Sequence, residues 1–200
     1  MIWNFRPDRG VLGTDSRRWR TVMPSTINAL PLLLASLTVL TAESSAQAIA
    51  WSQYGSVTQN IGDTEIQLRY RRPVARGRDL FGALVEWDEI WAPGADSATT
   101  IRFSTDVLVN GEPVPAGTYS IWMIPSRNDW TVILSSAWQV YHRPYPEGHD
   151  VLRLMVPSSE GQYMETLTFH FPAVDGPKAV LAFQWGRTVV EIPIEIEVEW

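Results

Sequence analysis

Strict alternation of apolar and charged residues closes this chain, and it admits one kind of local structure. Between Val189 and Trp200, Ile192, Ile194, Ile196, Val198 and Trp200 interleave with Glu191, Glu195, Glu197 and Glu199. A period of two sends the apolar set to one face of a strand and the glutamates to the other, whereas a helix would mix them. A slip of one residue would bury the glutamates, so the register is strongly specified. The acidic row also discourages pairing at an edge.

The same period recurs upstream. Trp51–Ile61 and Thr64–Arg71 flank a turn at Gly62-Asp63 and read as a hairpin. Pro73 ends its second strand, because proline has no N–H to give a ladder. Ala98–Thr105 sets Thr99, Ile101 and Phe103 against Ala98, Thr100 and Arg102, and Asp106–Val109 runs into Asn110-Gly111, a strong hairpin signal. Thr118–Ile124 and Trp130–Leu134 form another hairpin around Pro125–Asp129. Asp150–Val156, Glu165–Phe171 and Ala179–Trp185 follow, with a turn at Gly186-Arg187 before the final run. Ser135–His149 reads as a loop, and Gly77–Leu84 as a structured loop or a short helix. About nine or ten strands with little helix predict an all-β fold, an antiparallel β-sandwich or a jelly-roll-like barrel.

The N-terminus has a different character. Arg6, Arg9, Arg17, Arg18 and Arg20 precede Ala29–Leu40, an apolar run shorter than the roughly 20 residues of a membrane span. Ala46-Gln47-Ala48 follows. Basic, then apolar, then A-x-A is the order of a secretory signal peptide, so residues 1–48 are expected to be removed and 49–200 to form one domain. That domain is expected to be periplasmic or extracellular, with no membrane span. Arg17-Arg18 leaves the twin-arginine route open beside the general secretory one. The leader takes five arginines and only Asp8, Asp15 and Glu43 among the acids, so the remainder is more acidic than the whole chain at −6. That charge opposes nucleic acid as a partner. The chain has no cysteine, so the core must hold the fold without disulfides.

Trp87–Phe103 (WDEIWAPGADSATTIRF) concentrates the unusual chemistry, just after Arg69, Arg71, Arg72, Arg76 and Arg78. The arginines are expected to pair with acids at Glu86–Glu89, and Pro93-Gly94 to occupy the middle of a type II turn. Asp88 and Glu89 are adjacent and point to opposite faces of a strand, so they cannot work as a pair. Glu86 and Asp88 would share a face about 7 Å apart, a spacing that glycoside hydrolysis accepts if Trp87 and Trp91 dry one of them. Surface acids balancing the arginines explain the same residues. His142 and His149, with Glu147 and Asp150, match no compact metal motif; neither a metal nor a cofactor is expected. G-x-S-x-G, S-x-x-K and phosphate-loop motifs do not occur. Trp130 and Trp185 lie on apolar faces and read as core. Trp122, with Trp138, Tyr141 and Tyr145, frames either a sugar-stacking groove or an inter-sheet contact.

Several segments together carry a family resemblance. They are Arg72-Pro73, Gly77-Arg78-Asp79-Leu80-Phe81-Gly82, Leu84-Val85, Trp91 with Gly94-Ala95, Ala98-Thr99-Thr100, Phe103–Val107, Gly111, Pro115–Tyr119, Pro125, Trp130–Ile133 and Trp185-Gly186. The pattern resembles the secreted bacterial family catalogued as domain of unknown function 2911, over about Trp51 to Ile194. The resemblance implies an exported β-rich domain and brings no activity, cofactor or catalytic residue. The family usually has arginine after the tryptophan and asparagine after Gly-Ala; here Ala92 and Asp96 stand there.

The resulting expectation is a non-enzymatic binding or structural module of the bacterial envelope. Its ligand contacts would come from Arg72, Arg78, Trp91, Asp96, Trp122 and Tyr141. A glycan, an envelope component or a protein would be the partner. The alternative is a hydrolase using acids near Trp87–Asp96. Sequencing the N-terminus of the exported protein should read from Ile49; a product that retains Arg17-Arg18 would refute the leader assignment.

Overall fold

The structure, a computed structural model, describes residues 51–197. These belong to a compact unit spanning Gln47–Trp200. The leader, and Val198, Glu199 and Trp200 of the final alternation, lie outside the described residues. Nine strands form: β1 (Gln53–Ile61), β2 (Thr64–Arg72), β3 (Thr100–Phe103), β4 (Val107–Val109), β5 (Glu112–Val114), β6 (Gly117–Ile124), β7 (Asp129–Ser135), β8 (Asp150–Asp175) and β9 (Lys178–Glu195). Among the described residues there is no helix, so Gly77–Leu84 is a structured loop.

All pairings are antiparallel, in the order β1-β2-β3-β6-β7-β8-β9-β4-β5. The sheet stays open between β1 and β5, so it is not a closed barrel. The expected hairpins form. Asn110 and Gly111 take φ of 51° and 85° in the β4–β5 turn, the left-handed pair that a tight hairpin demands.

Two corrections concern length. Asp150–Val156 and Glu165–Phe171 are parts of one strand of 26 residues, and β9 runs through the expected turn at Gly186-Arg187 for 18 residues. The β8–β9 register shifts between Glu160 and Met164, between Met164 and Thr168, and between His170 and Ala173. A bulge breaks the period of two without ending the pairing, so one bent strand reads as two short ones. Up to Pro157, β8 pairs with β7; from Ser158 it pairs with β9. This change of partner at a bend lets the sheet turn across its own face in the manner of a sandwich.

The two halves meet at aromatic contacts. The Tyr70 ring (β2) stands edge-on to Phe169 (β8) at 5.1 Å. Its hydroxyl donates to Phe169 O at 3.3 Å and accepts from Phe169 N at 3.1 Å. Phe81, on the loop after β2, meets Trp130 at 4.8 Å, Trp91 at 6.1 Å and Trp185 at 6.2 Å. Trp130 and Trp185 are buried in this core, as their apolar faces implied. Each such ring removes a large apolar area from water and gains roughly 1 kcal/mol more from ring–ring geometry. Phe81→Ala should therefore cost about 2–4 kcal/mol, less than a fully buried ring because Phe81 is only partly buried. Urea unfolding would measure this, and an unchanged midpoint would contradict the role given to the ring.

Candidate functional site

At the end of the sheet where β1 begins and β2 ends, three loops converge. Past Arg72, the chain lies along β8: Leu167 N donates to Pro73 O and Ala75 N to Glu165 O. Arg76 and Gly77 then take φ of 53° and 67°, which reverses the chain. Ala75 O accepts from Arg78 N and, at 2.9 Å, from Arg78 Nε; Val74 O accepts from Arg78 Nη2 at 2.7 Å. The Arg78 guanidinium is thus folded onto its own turn. Arg76 N donates to Glu165 Oε1 at 2.7 Å, while its guanidinium lies 4.4 Å from the Trp51 ring centre.

The second loop carries Trp87–Thr99. Trp87 packs on Gly82, where a Cβ would lie 2.2 Å from the indole Nε1, so the close approach requires glycine. Trp91 and Met123 exchange two backbone hydrogen bonds of 2.8 Å, which seats Trp91 beside β6. Its indole stacks on Trp185 at 6.1 Å and 12°. Gly94 has φ of 156°, far from the roughly +80° of a type II turn. Instead, buried Thr99 donates its hydroxyl to Pro93 O at 2.5 Å, and a Cβ on Gly94 would fall 2.9 Å from Thr99 Oγ1.

The third loop, between β7 and β8, locks onto the second. His142 N and Nδ1 both meet Asp96 O, at 2.8 and 2.6 Å. A carbonyl only accepts, so Nδ1 carries the proton in that bond, and Nε2 has no hydrogen-bond partner among the described residues. Ser97 bridges Tyr141 through the backbone.

Two concavities flank this junction. One is a cleft of about 340 Å³ whose walls include Arg76, Arg78, His142, Arg143, Trp91 and Trp185. The other is a shallow depression of about 470 Å³ on the outer face of the sheet, lined by Tyr54, Trp138 and Tyr141 with Arg69, Ser97 and Gln139. A larger concavity of about 1060 Å³ lies at the opposite end of β1, around Gly62, Val107 and Pro177, and none of the six expected ligand contacts lines it.

Of the six expected ligand contacts, Arg78 and Trp91 come together in the cleft and Tyr141 lines the depression. Asp96 lines neither; its carboxylate meets Arg71 at 3.7 Å and its carbonyl positions His142. Arg72 is a strut, donating to Leu167 O at 3.2 Å and to Thr168 Oγ1 at 2.8 Å. Trp122 cannot line a groove, because it is 1% exposed. It packs with Ala92, Ala98 and Ile133 beneath Tyr145, and donates to Ser120 Oγ at 2.9 Å. Burial first, and then the hydrogen bond to the Asp150 carboxylate, push the Tyr145 hydroxyl up to about 12.

The expected pairing of the arginines with Glu86–Glu89 does not occur: the described ion pairs of that cluster reduce to Arg71–Asp96, and Arg76 and Arg78 give their guanidinium N–H groups to carbonyls. Among the described residues no group of three or more His, Asp or Glu could hold a metal, and no helix is long and apolar enough to cross a membrane. Sequence reasoning passed over Trp51 and Arg143 as cleft residues. Both lie in segments read only as strand start and loop, and their neighbours come from distant parts of the chain.

A family model described as protein of unknown function, DUF2911, matches residues 52–194. The chain belongs to the DUF2911 family. No curated protein and no solved structure matches it. At the two positions where the resemblance implied arginine and asparagine, this DUF2911 member has residues that fit their surroundings. Ala92 is buried against Trp122, and Asp96 holds φ of 61°. Asparagine and aspartate both tolerate that left-handed conformation, whereas a β-branched residue does not. Asp96→Asn should change stability by no more than about 0.5 kcal/mol, because the exposed Arg71 pair is weak. Asp96→Val should cost about 1–3 kcal/mol. Equal thermal midpoints for the two variants would refute the conformational account.

Proposed function

We propose that this DUF2911 domain is an exported, non-enzymatic binding module that holds a glycan of the bacterial envelope. The observation that carries the reading is the convergence of three exposed rings on one depression. Tyr54 is 56% exposed, Trp138 41% and Tyr141 57%, and they come from β1 and the β7–β8 loop. Large apolar rings left in water at one place mark an interaction surface. Pyranose faces are apolar and stack on such rings, while their hydroxyls need donors and acceptors beside the stack. Arg69, Ser97, Thr100 and Gln139 stand in the same depression and offer both. Arg71 lies 5.9 Å from the Tyr54 ring centre and stiffens it.

Export rests on the order of basic, apolar and A-x-A segments before residue 49. The non-enzymatic reading rests on where the acids lie. Glu86, Asp88, Glu89 and Asp96 are exposed, and none of them lines the cleft or the depression. A hydrolase built on them would lack a concave site to hold the scissile bond beside them.

Affinity electrophoresis of the exported protein through gels holding peptidoglycan fragments or envelope polysaccharides should retard it. Trp138→Ala and Tyr141→Ala should each weaken retention by about tenfold, the worth of one stacked ring. Retardation that survives both substitutions, or none with any glycan, would sink the proposal.

A further inference from the structure

We propose that the cleft beside the depression is a second binding site, for a small organic anion whose carboxylate or phosphate is joined to a flat apolar body. Charge gives the first half of this assignment. Arg76, Arg78 and Arg143 reach the cleft, and no Asp or Glu side chain is among its lining residues. The described ion pairs engage Arg71, Arg102, Arg153 and Lys178 instead. The nearby Glu165 carboxylate is occupied by Arg76 N and the Tyr163 hydroxyl. Arg78 gives two of its five N–H groups to Val74 O and Ala75 O, so the charge is held in place with donors to spare. Arg143 is exposed and has no protein partner among the described residues. A concave site with low-dielectric walls concentrates such a field, so an anion is recruited although the chain as a whole carries −6.

The walls give the second half. Trp91, backed by its stack on Trp185, forms one side, and Leu84, 45% exposed, and Val85 extend it. The lining holds no Asn, Gln, Asp or Glu, and Ser52 is its one hydroxyl. A neutral sugar would therefore find few acceptors for its hydroxyl protons, which separates this site from the depression. A cleft of about 340 Å³ matches one bicyclic ring with a short acidic arm. Guanidinium groups would bind the acid by charge-assisted hydrogen bonds, and the tryptophan face would cover the ring.

Isothermal titration of the exported protein with indole-3-acetate, phenyl phosphate, indole-3-acetamide, galacturonate and inorganic phosphate tests both halves. At least one of the two aryl anions should bind, and which one does separates carboxylate from phosphate. The neutral amide, galacturonate and inorganic phosphate should each bind at least about tenfold more weakly. Arg143→Ala, which removes no hydrogen bond or ion pair among the described residues, should weaken the aryl anion by about tenfold, and Trp138→Ala should leave it unchanged. An amide that binds as well as the acid, a galacturonate or inorganic phosphate that matches the aryl anions, or no binding by either aryl anion would overturn the assignment. Glycan retention by the depression is a separate readout, so either site can fail without the other.

Discussion

The stack of Trp91 on Trp185 is the contact on which the rest of the site depends. Trp91 sits on a loop with no strand of its own, and Trp185 sits deep in β9. Reciprocal backbone bonds to Met123 hold the loop against β6, and the stacked ring ties it to the opposite half of the sheet. The Trp185 indole N–H donates to Glu165 O at 3.3 Å. The same carbonyl accepts from Ala75 N, and the Glu165 side chain accepts from Arg76 N. A continuous series of contacts therefore runs from the tryptophan pair to the turn that carries Arg76 and Arg78. The near-parallel stack sets both the distance and the orientation of the two rings, offset so that their like-charged faces do not lie directly over one another. The cleft wall and its charged turn are thus positioned together.

How the arginines are satisfied decides the electrostatics of that end of the molecule. A carboxylate partner would cancel a guanidinium's charge, whereas a carbonyl dipole satisfies its N–H groups and leaves the charge in place. Arg76 and Arg78 take the second course. On the other side of the Asp96–His142 junction, one guanidinium, that of Arg69, stands beside three exposed aromatic rings with Ser97, Thr100 and Gln139, so stacking surface and hydroxyl or amide partners predominate there. The two concavities have no lining residue in common and differ in chemistry.

The strands were legible because burial on one face imposes a period of two. The hairpins were legible because Asn110-Gly111 and Gly62-Asp63 have few other uses. Strand ends were not: bulges in β8 and β9 reset the alternation while the ladder continues, and a one-dimensional pattern cannot separate a bulge from a turn. Trp122 shows the same limit at the site. Thr118 and Ser120 share its strand face, and their polarity by itself would mark that face as wet. The β7–β8 loop covers the face, and Ser120 Oγ donates to Ala137 O while accepting from the Trp122 indole. Polar residues on a strand report water only where nothing folds over them.

By itself, the sequence determined an antiparallel β domain of about this strand count, a core built on Trp130 and Trp185, and Arg78 and Trp91 as residues out of the ordinary. Each follows from local periodicity or residue type. Only the tertiary structure decided that Arg76, Arg78, Arg143 and Trp91 face one cleft, that Tyr54, Trp138 and Tyr141 face another depression, and that Arg72 and Trp122 face neither. Those placements depend on where β8 bends and on which loop packs against which. They are set by non-local aromatic packing, for which a single chain carries no periodic signal.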